Sequence, residues 1–142
     1  MPIEDLARSD VVTATEDTTV SELGRTMADE TVGSVVIVDD DTPVGIVTDR
    51  DLALRCVASE SDLGDQTAGN VMTEDLATIE QDAGFYEAVG QMRDHGIRRL
   101  PVTGENGELV GILTTDDLTT LLADEQQGLS EVIEAQRPPY DT

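Results

Sequence analysis

Two Thr–Asp pairs carry the sharpest chemical suggestion in this sequence. Thr48 and Asp51 stand in Gly45-Ile46-Val47-Thr48-Asp49-Arg50-Asp51, and Thr114 and Asp117 stand in Gly111-Ile112-Leu113-Thr114-Thr115-Asp116-Asp117. In both segments an apolar β-forming run gives way to a polar, helix-compatible stretch at the threonine, so each pair straddles a strand-to-helix junction. A helix start offers unpaired N–H groups and partial positive charge, a setting suited to phosphate. The hydroxyl can donate to a phosphate oxygen. The carboxylate falls about one turn later on the same side, where it can accept from both hydroxyls of a ribose, as an acidic residue does in dinucleotide folds. The same Thr-x-x-Asp spacing is close to a capping box, with Thr as N-cap and an acid at the third helical position. Capping and ligand binding can coexist at one helix start.

Arg98-Arg99 is the second signal. Two of eight cations are adjacent in a chain with 31 acids. Arginine grips phosphate bidentately. If the pair opens a strand, its side chains point to opposite sides, so at most one faces a given cleft. The competing reading is a surface ion pair with a neighbour such as Asp94. The first half of the chain carries Gly33-Ser34 instead, so two clefts built by the two halves should differ. Arg50 reads first as a solvated helix residue, His95 as a helix C-terminal residue favoured by the dipole, and Asp116-Asp117 as a solvated helix start that could hold a cation beside a bound nucleotide. Cys56 reads as a small buried hydrophobe, and Met27 and Met92 as core.

The elements that must position these residues occur twice. At a spacing of 65, Asp17 maps on Asp82, Glu22 on Glu87, Met27 on Met92 and Asp29 on Asp94; after a turn one residue longer in the second copy, Val44 maps on Val110, Gly45 on Gly111, Thr48 on Thr114 and Asp51 on Asp117. Two copies suggest halves related by an approximate twofold axis, since a solenoid needs three or more. Each copy predicts an extended piece (11–13; 76–79), then an amphipathic helix with Val20, Leu23 and Met27, or Phe85, Val89 and Met92, on one face. Two strands around a turn follow (34–38 and 44–47; 99–103 and 109–113), with Asn106-Gly107 as a hairpin signal. A second helix closes each copy (49–58; 115–123). A short helix precedes each (3–7; 67–72), residues 59–70 join the copies, and 130–136 can be helical before Pro138-Pro139 stops it. The expected division is 1–62 for the first copy with its preceding helix, 63–125 for the second, and 126–142 for a flexible polar tail.

Composition excludes several classes. Hydrophobic residues make up 38% of the 142, but aromatics only 2%, so the core must be Val, Ile, Leu, Met and Ala. No apolar run approaches the roughly 18 residues a membrane span needs, and the acidic start lacks the parts of a signal peptide; a soluble cytoplasmic protein is expected. One cysteine permits no internal disulfide and no thiolate-rich metal site. The net charge is −23, and all eight cations are Arg. Because the apolar residues are well patterned, disorder is rejected for residues 1–125. The expectation is a surface adapted to concentrated salt, of a halophilic (haloarchaeal) kind, where counterions screen self-repulsion. The same charge argues against nucleic-acid or anionic-membrane partners. With one His, one Cys, no Gly-Lys-Ser/Thr phosphate loop and no metal cluster in the sequence, no enzyme is expected.

The heptapeptides 45–51 and 111–117 resemble the Gly-apolar-x-Thr/Ser-x-x-Asp signature of CBS domains. His95-Gly96-Ile97-Arg98-Arg99-Leu100-Pro101-Val102 and Met72-Thr73 are also similar to that family, and with the duplicated β-α-β-β-α order the resemblance covers roughly residues 3 to 123. It implies a Bateman module: an α/β (α+β) chain of two tandem CBS motifs packed with pseudo-twofold symmetry, leaving two clefts and often dimerising into a disc. It further implies adenosine ligands, such as AMP, ADP, ATP or S-adenosylmethionine. On this resemblance Thr48, Asp51, Thr114, Asp117, Arg98 and Arg99 would hold ribose and phosphate, and Val12, Ala77, Ile46, Ile97 and Ile112 would wall the adenine. The expected function is a homodimeric nucleotide sensor acting on a protein partner through a conformational change. The alternative is a dimerisation scaffold with empty clefts. So acidic a chain tilts the ligand from ATP toward AMP or cationic S-adenosylmethionine.

Overall fold

A computed structural model describes residues 2–57 and 65–136. The first half contains β1 (Thr13–Ala14), α1 (Val20–Glu30), β2 (Ser34–Asp39), β3 (Thr42–Thr48) and α2 (Asp49–Asp51), which runs on as a π-helical turn through Leu52–Val57. The second half contains α3 (Ala68–Val71), β4 (Ile79–Glu80), α4 (Phe85–His95), β5 (Arg99–Thr103), β6 (Leu109–Thr114) and α5 (Thr115–Gln136). Each half has a three-stranded sheet with its middle strand parallel to one neighbour and antiparallel to the other, in the orders β1-β2-β3 and β4-β5-β6. The architecture is mixed α+β, as the repeat predicts.

Local chemistry explains the elements. α1 opens on Thr19, whose side chain accepts from the Glu22 N–H while the Glu22 carboxylate accepts from the Thr19 N–H, a reciprocal cap. Its Val20, Leu23 and Met27 are buried against Val35, Ile37 and Val47 of the sheet. The corresponding face of α4 buries Ala88 and Met92, while Phe85 and Val89 are only partly covered. The β2–β3 turn is two residues, Asp40 (φ 48°) and Asp41 (φ 70°); positive φ at both positions matches strand twist. The second hairpin turns differently: the Gly107 N–H donates to the Gly104 carbonyl, the Gly104 N–H donates to the Glu108 carbonyl, and Gly107 takes φ 78°. Gly107 thus ends a three-residue loop in the left-handed conformation, which accounts for the longer turn of this copy.

Two expectations are corrected. The short edge strands lie at 13–14 and 79–80, later than expected, because only those residues pair with the central strands. α5 does not stop at Ala123; it continues to Gln136, so residues 124–129 are helical as well and join the stretch 130–136, which the sequence allowed as a helix, to the same element. Gly128 sits inside this helix, and the roughly 1 kcal/mol cost of one mid-helix glycine is offset by the helix-favouring Leu, Glu, Gln and Ala around it. The positions from 137 onward, and Ala58 with the first part of the linker, lie outside the described residues.

The halves interlock through their leading segments. The turn at Ile3–Asp5 packs into the second half's core: Ile3 is fully buried there, its N–H donates to the Ala83 carbonyl, and Arg8 exchanges two backbone hydrogen bonds with Ile112 (2.9 Å each). Conversely Ala68, Val71 and Met72 belong to the first half's core, and Thr73 exchanges backbone bonds with Ile46. This crossing explains the glycine of each heptapeptide. A Cβ on Gly111 would sit 2.7 Å from the Arg8 carbonyl oxygen, and one on Gly45 would strike the Met72 thioether.

Candidate functional site: two clefts between the halves

Each β-to-helix junction closes on itself before it meets any ligand. The Asp51 N–H donates to Thr48 Oγ1 (3.1 Å) and the Thr48 N–H to Asp51 Oδ2 (2.9 Å). The Asp117 N–H donates to Thr114 Oγ1 (3.2 Å) and the Thr114 N–H to Asp117 Oδ2 (2.9 Å). Both pairs are therefore capping boxes. They are not equivalent. Thr114 Oγ1 also lies 3.0 Å from Asp117 Oδ2 and donates to it, whereas no acceptor among the described residues takes the Thr48 hydroxyl proton. Asp51 keeps Oδ1 3.8 Å from Arg55 of its own helical turn, while Asp117 Oδ1 is held 3.4 Å from Arg8 Nε of the crossing leader.

Two clefts flank these junctions. The Thr48 cleft, about 520 Å³, is walled by Ile46, Thr48, Asp49, Arg50 and Asp51 of the first half and by Thr73, Ile97, Arg98 and Arg99 of the second. The Thr114 cleft, about 240 Å³, is walled by Ile112, Thr114 and Arg99 of the second half and by Arg8, Asp10, Val11, Val12 and residues 31–34 of the first. Each cleft thus joins the heptapeptide of one half to the start of the central strand of the other. Only the Thr48 cleft lies in the range of roughly 300–1,000 Å³ usual for small-ligand sites. A groove of about 550 Å³ between β1 and α1 contains neither Thr–Asp pair.

Most of the residues singled out from the sequence line these clefts. Thr48, Asp51, Arg98, Arg99, Ile46 and Ile97 are together at the first, and Thr114, Val12 and Ile112 at the second, where Arg99 stands again. Asp117 touches the second cleft's edge through Arg8. Ala77 lines neither; it packs against the second half's core. Arg98 is exposed and Arg99 half-buried, as strand alternation requires, yet both reach the Thr48 cleft, where one was expected, because Arg98 precedes the strand. Neither pairs with Asp94, whose ion partner is Arg93 at 3.9 Å. Arg50 is exposed, as a solvated helix residue would be, and lines the Thr48 cleft as well.

Sequence reasoning missed Arg8, Thr73 and the small residues Gly33 and Ser34 as cleft wall. Arg8 and Thr73 correspond at the repeat spacing of 65, but an arginine matched to a threonine carries no shared pattern by which to find them. Cys56 is fully buried in the first core; burial pushes its thiol up, the Arg55 charge opposes this and the Asp51 charge adds to it. His95 Nδ1 lies 2.9 Å from the Gln91 carbonyl at the end of α4, away from both clefts. Among the described residues no group of three or more His, Cys, Asp or Glu side chains is placed to hold a metal ion, and no helix is long and apolar enough to cross a membrane.

Comparison with known proteins fits this geometry. The CBS domain family model matches residues 3–57 and 68–124. YlbB of Bacillus subtilis is 41% identical over 119 residues, 82% of this chain and 79% of YlbB. MK0525 of Methanopyrus kandleri is 39% identical over 117 residues, again 82% of this chain but 60% of that protein, so the chain spans less than two thirds of this relative. Among solved structures, the CBS domain protein PAE2072 from Pyrobaculum aerophilum complexed with AMP is 32% identical, with a TM-score of 0.76 over 83% of this chain and 90% of that one. With one family model matching twice, in register with the internal repeat and with both sheets, the chain belongs to the CBS domain family as a tandem pair.

Proposed function

We propose that this CBS pair is a regulatory module that binds an adenine nucleotide or adenosyl ligand reversibly, first in the Thr48 cleft, and signals occupancy to a protein partner by changing how its halves sit together. The observation that carries the reading is the Thr48 cleft itself. Three of the chain's eight arginines, Arg50, Arg98 and Arg99, converge there, on a protein of net charge −23. Such a concentration of guanidinium groups suits a phosphate. Ile46 and Ile97 would wall a base, and Asp51 and the Thr48 hydroxyl, on the same cleft wall, would meet its sugar and phosphate. That a relative of 32% identity was solved with AMP supports the choice of ligand class. Because ligand contacts would come from both halves, binding would favour one relative arrangement of them over another.

A second reading, a dimerisation scaffold, draws on a different feature. An apolar groove of about 360 Å³ runs between α4 and α5, walled by Phe85, Val89, Met92, Leu118 and Leu122, and α5 continues with exposed Leu129, Val132 and Ile133. A homodimer would cover this face without needing any cleft ligand.

Calorimetric titration of the full chain with AMP, ATP and S-adenosylmethionine in molar KCl separates the two. The module reading expects saturable heat with at least one of them, and Asp51→Ala should weaken binding by about 1.5–3 kcal/mol, the worth of hydrogen bonds to a charged group. Because Asp51 also caps α2, the variant's fold is checked by its melt. Silence with all three ligands leaves the scaffold.

A further inference from the structure

Arg99 stands on the wall of both clefts, the only described residue that does. Its Nη2 lies 3.2 Å from where a Cβ on Gly33 would be, and Asp49 Oδ2 lies 3.4 Å from the same point, so the guanidinium sits over the first residues of the opposite half's central strand. Among the described residues this guanidinium makes no hydrogen bond or ion pair. The counterpart of Arg99 in the first half is Ser34: the two residues open the central strands and face Thr114 and Thr48 respectively in register. Strict twofold symmetry would place one arginine at each cleft; this chain has one for two.

The remaining cations sharpen the imbalance. The Thr48 cleft has Arg50 and Arg98 besides Arg99. Among the described residues the Thr114 cleft has only Arg8 besides Arg99, and Arg8 is already 3.4 Å from Asp117. A side chain turned to grip a phosphate bidentately in one cleft takes a fixed orientation there and no longer offers that grip to the other. Resting on the ligand reading above, we propose that Arg99 makes the two clefts compete for a phosphate, so that a phosphorylated ligand in the Thr48 cleft withdraws the guanidinium from the Thr114 cleft and weakens binding there. By linkage the effect is reciprocal. A ligand without phosphate escapes it.

Two-site titrations of the full chain with AMP and with adenosine, in molar KCl, test this with two variants. Arg99→Ser should weaken the first AMP step at least tenfold and leave the second unchanged, because the second ligand never had Arg99. Ser34 lines the Thr114 cleft, so Ser34→Arg gives that cleft its own guanidinium and leaves Arg99 to the other. This variant should reveal or tighten the second AMP step at least tenfold with the first held. Neither variant should move the adenosine steps by more than about threefold. If Arg99→Ser weakens both AMP steps alike, or Ser34→Arg leaves the second step as weak as before, the competition is refuted while the ligand reading stands. If the unaltered chain binds neither AMP nor adenosine, the competition falls, and the ligand reading falls with it only when ATP and S-adenosylmethionine are silent as well.

Discussion

Thr48 and Thr114 occupy the same place in the repeat, yet among the described residues the Thr114 hydroxyl donates to the Asp117 carboxylate and the Thr48 hydroxyl donates to no acceptor. That difference could not be read from two matching heptapeptides; beside it, Asp117 Oδ1 lies 3.4 Å from Arg8 Nε, 109 positions away, where Asp51 Oδ1 has Arg55 of its own helical turn. The Thr–Asp pairs and the arginine pair were legible because each is a local pattern with a direct chemical use. Arg8 was not, because its relevance appears only once the leader crosses to the other half. Cys56 illustrates the opposite case, a residue whose apolar role was plain from its surroundings in the sequence and whose side chain is fully buried. Burial raises its folded pKa above the unfolded one. A thiol shifted in that direction favours the fold below its unfolded pKa and loses this contribution as pH climbs from there through the folded value. Labelling with a thiol-specific disulfide reagent at pH 8 should therefore be slow in the native chain and fast in denaturant; equal rates would contradict the burial.

At the scale of elements, α1 and α4 end at corresponding residues, Thr31 and Gly96, and both are left-handed, with φ 55° and 63°. Glycine adopts this conformation freely, while a β-branched residue is strained there. Thr31→Gly should stabilise the fold by roughly 0.5–1 kcal/mol, the relieved strain less the added freedom of the unfolded chain. A lower denaturation midpoint in urea would mean the Thr31 side chain has a compensating role on the wall of the Thr114 cleft. Central strands and both amphipathic helices were legible because their periodicity is strong: Val35 and Ile37 face α1, as Leu100 and Val102 face α4. The edge strands and the end of α5 were not. Two-residue strands have no period to detect, and the α5 extension is exposed along nearly its whole length past Leu121, so no burial pattern marks it.

For the whole molecule, the excess of acid is a source of self-repulsion. The described residues show three ion pairs, all at 3.4–3.9 Å and each with at least one partner side chain about half exposed or more; such pairs contribute little against a net charge of −23. Self-repulsion should ease as salt shortens the Debye length from about 10 Å at 0.1 M to about 3 Å at 1 M. The thermal midpoint is expected to rise steadily from dilute buffer to molar KCl, and a midpoint indifferent to KCl would sink the view of a salt-adapted surface. The duplication and the β-α-β-β-α element order were visible at this scale from the matched positions and their patterning. What no pattern disclosed is that residues 2–8 complete the second half and residues 67–73 the first. Severed between Val57 and Asp65, the two fragments would each carry a plug cut for the other's socket, and should find one another again in solution without a covalent link. A polypeptide bearing a single copy would have the same unmet need, and only a twin could answer it.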